Sequence, residues 1–105
     1  QTIETKGGKK MFARVTPYQL KPGARDAAIA TMEEMKSDIL ALPGLKQFIN
    51  VISADGSGYV VSVVESQEVS DNNADRVRAL WGRMADHLAE IPTPEGGDVV
   101  ADWAP

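Results

Sequence analysis

The sequence predicts one α+β domain in which two helices cover one face of a four-stranded antiparallel sheet. Segments with strand-like and helix-like apolar periods alternate along the chain, and turn signals separate them. The length of 105 residues suits a single domain. The absence of Cys and the single His exclude a disulfide and argue against a structural zinc site. The net charge of -4 argues against a general nucleic-acid binder.

Residues 1–10 are polar and lack the apolar stretch of a secretory signal. Together with the flexible pair Gly7-Gly8, they predict a tail in front of a domain at 11–105. Because the chain starts at Gln1 rather than Met, we expect its N-terminus to reflect processing or cloning. No apolar run reaches the roughly 18 residues that a membrane span needs, so we expect a cytoplasmic protein.

The first half of the domain is predicted to contain a strand, a turn and a helix. Residues 11–20 alternate between two faces, as a strand requires. A Lys-Pro-Gly turn at 21–23 follows, and Pro43-Gly44 ends the next segment. Between them an apolar stripe recurs at intervals of three and four residues, which predicts a helix. Its members are Ala24, Ala28, Met32, Met35, Ile39 and Leu42.

The second half is predicted to contain a hairpin, a helix and a last strand. Apolar segments at 45–53 and 59–65, separated by a Gly-rich loop, predict a β-hairpin. The second segment carries valines on both faces, which is typical of a strand covered on both sides. A helix is predicted over residues 73–91 and a short strand over 98–103. The apolar stripe of that helix consists of Val77, Leu80, Trp81, Met84, Leu88 and Ile91.

The resulting order, β-α-β-β-α-β, is the ferredoxin-like pattern, in which both helices cover the same sheet face. Several strands nevertheless carry apolar residues on both faces. A domain of this size has no third layer to cover the second face, and a large exposed apolar face indicates a partner surface. The sequence therefore predicts a symmetric homodimer whose sheets pack face to face.

Four short segments resemble a known family. They are Met-Phe-Ala-Arg-Val-Thr at 11–16, Lys-Pro-Gly at 21–23, Pro-Gly-Leu at 43–45 and Val-Val-Glu-Ser at 63–66. In this order and spacing, residues 11–103 resemble the antibiotic-biosynthesis-monooxygenase-type dimeric α/β barrel proteins. The resemblance implies a ferredoxin-like subunit that dimerises through its sheet, with a small apolar pocket between sheet and helices.

The resemblance also implies a chemistry. Some members of that family oxygenate polyketide or quinol substrates without metal or flavin. Electron-rich aromatic substrates supply electrons to dioxygen, so the protein needs only to bind, desolvate and polarise them. Other relatives degrade haem with an Asn and a Trp on strands and a His on a helix. Val15 and Val64 occupy the matching strand positions here, and His87 lies late in its helix, so haem degradation is not favoured.

Five residues are candidates for the pocket, and each has a structural alternative. Trp81 is either a wall that stacks on a flat substrate or an ordinary core residue. Asn50 is either a pocket donor or an exposed polar residue, and Met32 and Met84 either adapt to a ligand or fill the core. His87 is either a general base or proton relay, or a cation placed favourably near a helix C-terminus.

Arg14, Thr16 and Tyr18 share a strand face, which we expect to line the dimer barrel between subunits. There Arg14 would need a bound anion or a carboxylate such as Glu65 or Asp102. No nucleophile motif or metal-ligand cluster accompanies these residues, so we expect neither a metal nor another cofactor.

The working hypothesis from the sequence is cofactor-independent oxygenation of a small aromatic or quinol-like molecule. An alternative from another class is a non-catalytic dimer of the same fold that binds a small apolar ligand or serves a stress-type role. A third alternative is a structural dimer with a filled core and no pocket. The volume of any cavity beside Trp81 separates the last two.

Overall fold

Strands and helical regions follow one another as β-α-β-β-α-β in the computed structural model, which describes residues 10–105. Each helical region contains two α-helices. Residues 1–9 of the tail expected at 1–10 lie outside the described residues. The four strands form one antiparallel sheet in the order β2-β3-β1-β4, which confirms the α+β ferredoxin-like prediction. None of the helices within residues 10–105 is long and apolar enough to cross a membrane. The elements are β1 (Phe12–Gln19), α1 (Arg25–Glu34), α2 (Lys36–Leu40), β2 (Leu45–Ile52), β3 (Ser57–Val64), α3 (Gln67–Asn72), α4 (Ala74–Arg83), a 3₁₀ turn (Ala85–His87) and β4 (Glu95–Asp98).

The first predicted helix is divided in two at Met35. The Met35 N–H donates to both the Thr31 and Met32 carbonyls, at 3.2 and 3.0 Å, which tightens the turn there. One buried core cluster contains Ala28 of α1, Met35 at the break between the helices, and Ile39 of α2. The predicted apolar stripe therefore survives the break between the two helices.

The second helical region begins earlier than the sequence pattern predicts. The polar segment after β3 forms the short helix α3. The Ser66 Oγ accepts a hydrogen bond of 3.2 Å from the Val69 N–H, which caps the first turn of this helix. Asn73 then separates α3 from α4, and its side chain donates to the Pro43 carbonyl at 2.9 Å. This bond connects the junction between α3 and α4 to the turn that follows α2.

The same region also ends earlier, so the prediction of a helix to residue 91 is wrong. Leu88 is extended and forms an isolated bridge with Leu20. The Ala89 N–H donates to the Gln19 carbonyl at 2.9 Å, and the Lys21 N–H donates to the His87 carbonyl at 2.8 Å. The backbone after α4 thus bonds to the end of β1 instead of continuing a helix.

The last strand lies at Glu95–Asp98, not at the predicted 98–103. It pairs with β1, with Gly96 opposite Arg14 and Gly97 opposite Ala13. A Cβ at position 96 would lie 2.5 Å from the Phe12 Cζ, whereas one at position 97 would meet nothing within 4 Å. Glycine at 96 therefore allows the buried Phe12 ring to pack against this edge strand. Val100 and Trp103, beyond the strand, are almost fully exposed.

The sheet is apolar on both faces, as the sequence predicts. Tyr18 and Val60 belong to the buried core on the face that carries the helices. On the opposite face, four large apolar side chains remain 39–45% exposed. We call this set, together with the neighbouring Val61 and Val63, the outer face. The four exposed members are Val15, Ile49, Val51 and Tyr59.

We expect Gly96→Ala to destabilise the fold by about 1–3 kcal/mol, because the added methyl overpacks the Phe12 ring. Gly97→Ala is the matched control, since it makes the same change where the structure leaves open space. Urea unfolding at equal protein concentration measures both variants. Equal midpoints for the two variants would contradict the packing argument.

Candidate functional site

A small cavity of about 70 Å³ lies between the sheet and the helices, and we call it the inner pocket. Its walls come from strands β1, β2 and β3 and from helices α1, α2 and α4. The structure brings together here all four residues that the sequence predicts to bind substrate. They are Trp81, Asn50, Met84 and Met32.

A polar pair stands in the otherwise largely apolar inner pocket. The Tyr18 hydroxyl donates to the Asn50 Oδ1 at 2.5 Å, and the Asn50 Nδ2 donates to the Met32 Sδ at 2.9 Å. Burial raises the pKa of Tyr18, although the hydrogen bond to Asn50 acts in the opposite direction. Tyr18 therefore keeps its proton at neutral pH. Because a thioether is a weak acceptor, the Asn50 amide N–H is the donor that a ligand oxygen can most easily take over.

Trp81 of α4 packs against Tyr18 of β1. Their ring centroids are 5.6 Å apart and the ring planes are inclined by 56°, a favourable tilted arrangement. Trp81 also lines a second, larger cavity. Its indole is therefore a wall shared by two neighbouring spaces.

The second space, which we call the outer cavity, lies between α4 and residues 88–94 and measures about 650 Å³. Pockets for small molecules typically measure roughly 300–1,000 Å³, and a cavity that holds benzene measures about 150 Å³. The inner pocket is thus too small for an aromatic ring by itself, whereas the outer cavity is large enough. Sequence periodicity misses the outer cavity because it assigns residues up to 91 to a helix.

The structure corrects the placement of Arg14 and Tyr18. Both were expected to line a dimer barrel, but both lie on the helix-covered face and line the inner pocket. The reason is the alternation of β1, whose even-numbered residues face the helices, as the buried Phe12 and Thr16 do.

The partners expected for Arg14 are corrected as well. The Arg14 Nε donates to the Ser70 Oγ, and its Nη2 lies 3.6 Å from the Asp71 Oδ1. The Arg14 side chain is 24% exposed and that of Asp71 is 63% exposed. Glu65 instead lies 3.9 Å from Lys46, and Asp102 is exposed in the C-terminal segment. Helix α3, which periodicity did not predict, supplies both partners of Arg14.

His87 lines neither the inner pocket nor the outer cavity. It lies in the 3₁₀ turn after α4, and its Nε2 is 2.9 Å from the Thr31 Oγ1 of α1. Because α4 ends at Arg83, His87 does not occupy the position that an unbroken helix would give it. The structure therefore places the predicted general base in a contact between helical segments.

Comparisons with known proteins identify the fold. Neither a protein-family model nor a curated protein sequence matches the chain. A solved structure from Bordetella bronchiseptica, provisionally named an antibiotic biosynthesis monooxygenase, matches with a TM-score of 0.74 at 14% identity, over 89% of this chain and 100% of that one. A protein of unknown function from Nitrosomonas europaea matches with a TM-score of 0.76 at 16% identity, over 91% of this chain and 95% of that one.

A third match, from Caulobacter crescentus, carries the same provisional name as the Bordetella protein. It has a TM-score of 0.72 at 17% identity and covers 89% of this chain and 92% of that one. The chain thus has the ferredoxin-like fold of the antibiotic-biosynthesis-monooxygenase-type proteins. The fold expected from the sequence resemblance is confirmed by these matches, which cover 89–91% of this chain.

We expect the Tyr18 phenol to ionise above the ordinary value of about 10, because burial raises its pKa. A raised folded-state pKa adds stability below the unfolded-state value and loses it as pH rises through the folded-state value. The free energy of unfolding should therefore fall above about pH 10, and Tyr18→Phe should reduce that slope. Ultraviolet absorbance of the phenolate in Tyr59→Phe, which leaves one of the two tyrosines, measures the ionisation directly. An ordinary Tyr18 titration would contradict the buried environment.

Proposed function

We propose that this protein binds a small aromatic or quinol-like molecule between its sheet and helices and oxygenates it without a bound cofactor. The observation that carries the proposal is the position of Trp81, which is a wall of both cavities and lies beside the Tyr18–Asn50 pair. The provisional name of the structural neighbours, antibiotic biosynthesis monooxygenase, supports the same class of reaction.

The difference in volume between the two cavities assigns each of them a different part of the proposed substrate. Its ring stacks on Trp81 from the outer cavity, because the inner pocket holds only a substituent. A hydroxyl oxygen enters the inner pocket, where the Asn50 amide turns from the Met32 sulfur to the stronger acceptor. Met32 and Met84 are flexible enough to adapt their side chains around that group.

The proposed reaction converts a hydroxyarene with a C–H para to its hydroxyl into a para-quinone. One atom of dioxygen forms the new carbonyl, and the other leaves as water with the hydrogens of the C–H and O–H groups. The substrate supplies all four electrons that dioxygen accepts, so the balance requires no external reductant. The protein contributes binding, exclusion of water and polarisation of the phenolate.

The side chains of the inner pocket limit how the substrate loses its proton. The ionisable residues that line this pocket within the described part of the chain are Arg14 and Tyr18. A guanidinium has no acceptor site, and because burial raises the pKa of Tyr18 its hydroxyl keeps its proton. The substrate therefore enters as a phenolate or loses its proton in the outer cavity, which Glu90 lines. His87, the base suggested by the sequence, has no part in this proposal because it lies outside both cavities.

An oxygen electrode tests the catalytic proposal with a panel of hydroxyarenes that carry a C–H para to the hydroxyl, and hydroquinones, which lack that C–H, serve as the comparison. We expect dioxygen uptake above buffer, and we expect Trp81→Ala to lower the rate at subsaturating substrate by about tenfold through loss of ring stacking. Trp103→Ala is the matched control, because Trp103 is exposed and lines neither cavity.

Among the described residues, no carboxylate or imidazole lines the inner pocket, which also favours a second candidate, binding without turnover. Calorimetry on the same panel separates the two. If the folded protein gives heat of binding but no dioxygen uptake, the result would support binding without turnover and contradict the oxygenase proposal.

We further propose that the outer face packs against the outer face of a second copy. Val15, Ile49, Val51 and Tyr59 form an apolar surface on neighbouring strands, and a contiguous surface of this kind is uncommon on a monomer. A two-fold axis lets one such surface cover itself. The resulting homodimer leaves both cavities on the helix side of each sheet.

Light scattering should give twice the chain mass of 11.3 kDa. Ile49→Lys should shift the protein to the monomer, because burying an unpaired ammonium in the interface is costly. Leu40→Lys is the control, since Leu40 is exposed on α2, in the helix layer. A compact wild-type monomer at micromolar concentration would contradict the dimer.

A further inference from the structure

The outer cavity is cationic although the protein is acidic. The chain has 15 acidic and 11 basic side chains. Three basic residues, Arg14, Lys21 and Arg78, line this cavity, against one acidic residue, Glu90. The lining residues are therefore net positive in an acidic molecule, although Asp71 and Asp75, outside the lining, pair with Arg14 and Arg78. A net positive lining attracts an anion.

The cationic groups are only weakly engaged by the protein itself. Arg78 pairs with Asp75 at 2.8 Å, but both side chains are highly exposed, and such pairs contribute little. Lys21 has no carboxylate partner among residues 10–105. Both side chains are consequently available to an anion in the cavity.

Arg14 occupies the most informative position, because it lines both the inner pocket and the outer cavity. Its Nε is bonded to Ser70, and its Nη2 has a long contact with the exposed Asp71. Its Nη1 has no acceptor among residues 10–105. A half-buried guanidinium whose N–H groups are not all bonded to the described residues favours a planar, bidentate acceptor such as a carboxylate.

The remaining walls of the outer cavity are suited to a flat apolar body. Trp81 forms one side, and Ile91, which is 86% exposed, belongs to the segment on the other. Exposure of the Ile91 side chain and of the Trp81 indole to water is unfavourable. A ring bound between them would remove apolar surface of both from water.

We propose that the outer cavity is a subsite for an aromatic carboxylate, with the carboxylate on Arg14 and the ring between Trp81 and Ile91. The placement of the ring rests on the proposed function, but binding at the subsite requires no turnover. The inference narrows the substrate class to hydroxyarenes that carry a carboxylate. Lys21 and Arg78 contribute attraction at longer range.

Calorimetry with 2-naphthoate and 2-naphthamide tests this subsite without any reaction. The two compounds have nearly the same shape and differ in charge. We expect the wild-type protein to bind the carboxylate about tenfold more tightly than the amide, since charge-assisted hydrogen bonds are the stronger kind. Arg14→Gln should remove most of that preference and leave the affinity for the amide nearly unchanged.

Arg76→Gln is the matched control, because Arg76 lies on α4 two residues before Arg78 but lines neither cavity. It should retain the preference for the carboxylate. Lys21→Gln is a second test should Arg14→Gln fail to fold, and it should weaken naphthoate binding about twofold to fivefold. Added salt should weaken the binding of naphthoate but not that of naphthamide.

Equal affinity for the two compounds, no binding of either to folded wild-type protein, or equal effects of Arg14→Gln and Arg76→Gln would overturn the subsite. The outcome is separable from that of the oxygenase proposal. A preserved carboxylate preference without dioxygen uptake overturns catalysis alone. Dioxygen uptake without a carboxylate preference overturns the subsite alone.

Discussion

The register of β1 is the constraint on which the site and the outer face both depend. This strand pairs with β3 on one side and with β4 on the other, so its alternation is fixed from two directions. Even-numbered residues such as Tyr18 face the helices, and odd-numbered residues such as Val15 face outward. A slip of one residue would exchange the two sets and place the polar side chains of the pocket in water.

The sequence predicts the first three strands, the order of the elements along the chain and the two apolar faces. It predicts neither the position of β4 nor which face the helices cover. Arg14 and Tyr18 were assigned to the wrong side because apolar residues occupy both faces of β1. The partners that satisfy them, Ser70 and Asn50, lie on distant segments. Local periodicity carries no information about such long-range contacts. It does place Trp81 on an apolar stripe that faces the core, and Trp81 lines the inner pocket.

The outer cavity shows how tertiary contacts override a local pattern. The apolar spacing of the sequence continues to Ile91, yet the chain leaves the helix at Arg83. Burial of Leu88 against Leu20, together with backbone bonds to the end of β1, stabilises an extended path there. An unbroken helix would have carried these residues away from Trp81, so the departure from the pattern is what opens the space.

The valines of β3 contribute to both faces of the sheet, the one that lines the inner pocket and the one proposed to form the dimer interface. Val60 lines the inner pocket, while the next residue, Val61, pairs with Val15 and Ile49 on the outer face. Consecutive residues of one strand thus contact the ligand space and the proposed partner. The proposed binding and the proposed dimerisation would use opposite faces of the same strand, so a substitution on one face could alter one process without removing a contact of the other. The proposed use of both faces would account for a strand that is apolar throughout, which a two-layer monomer would not require.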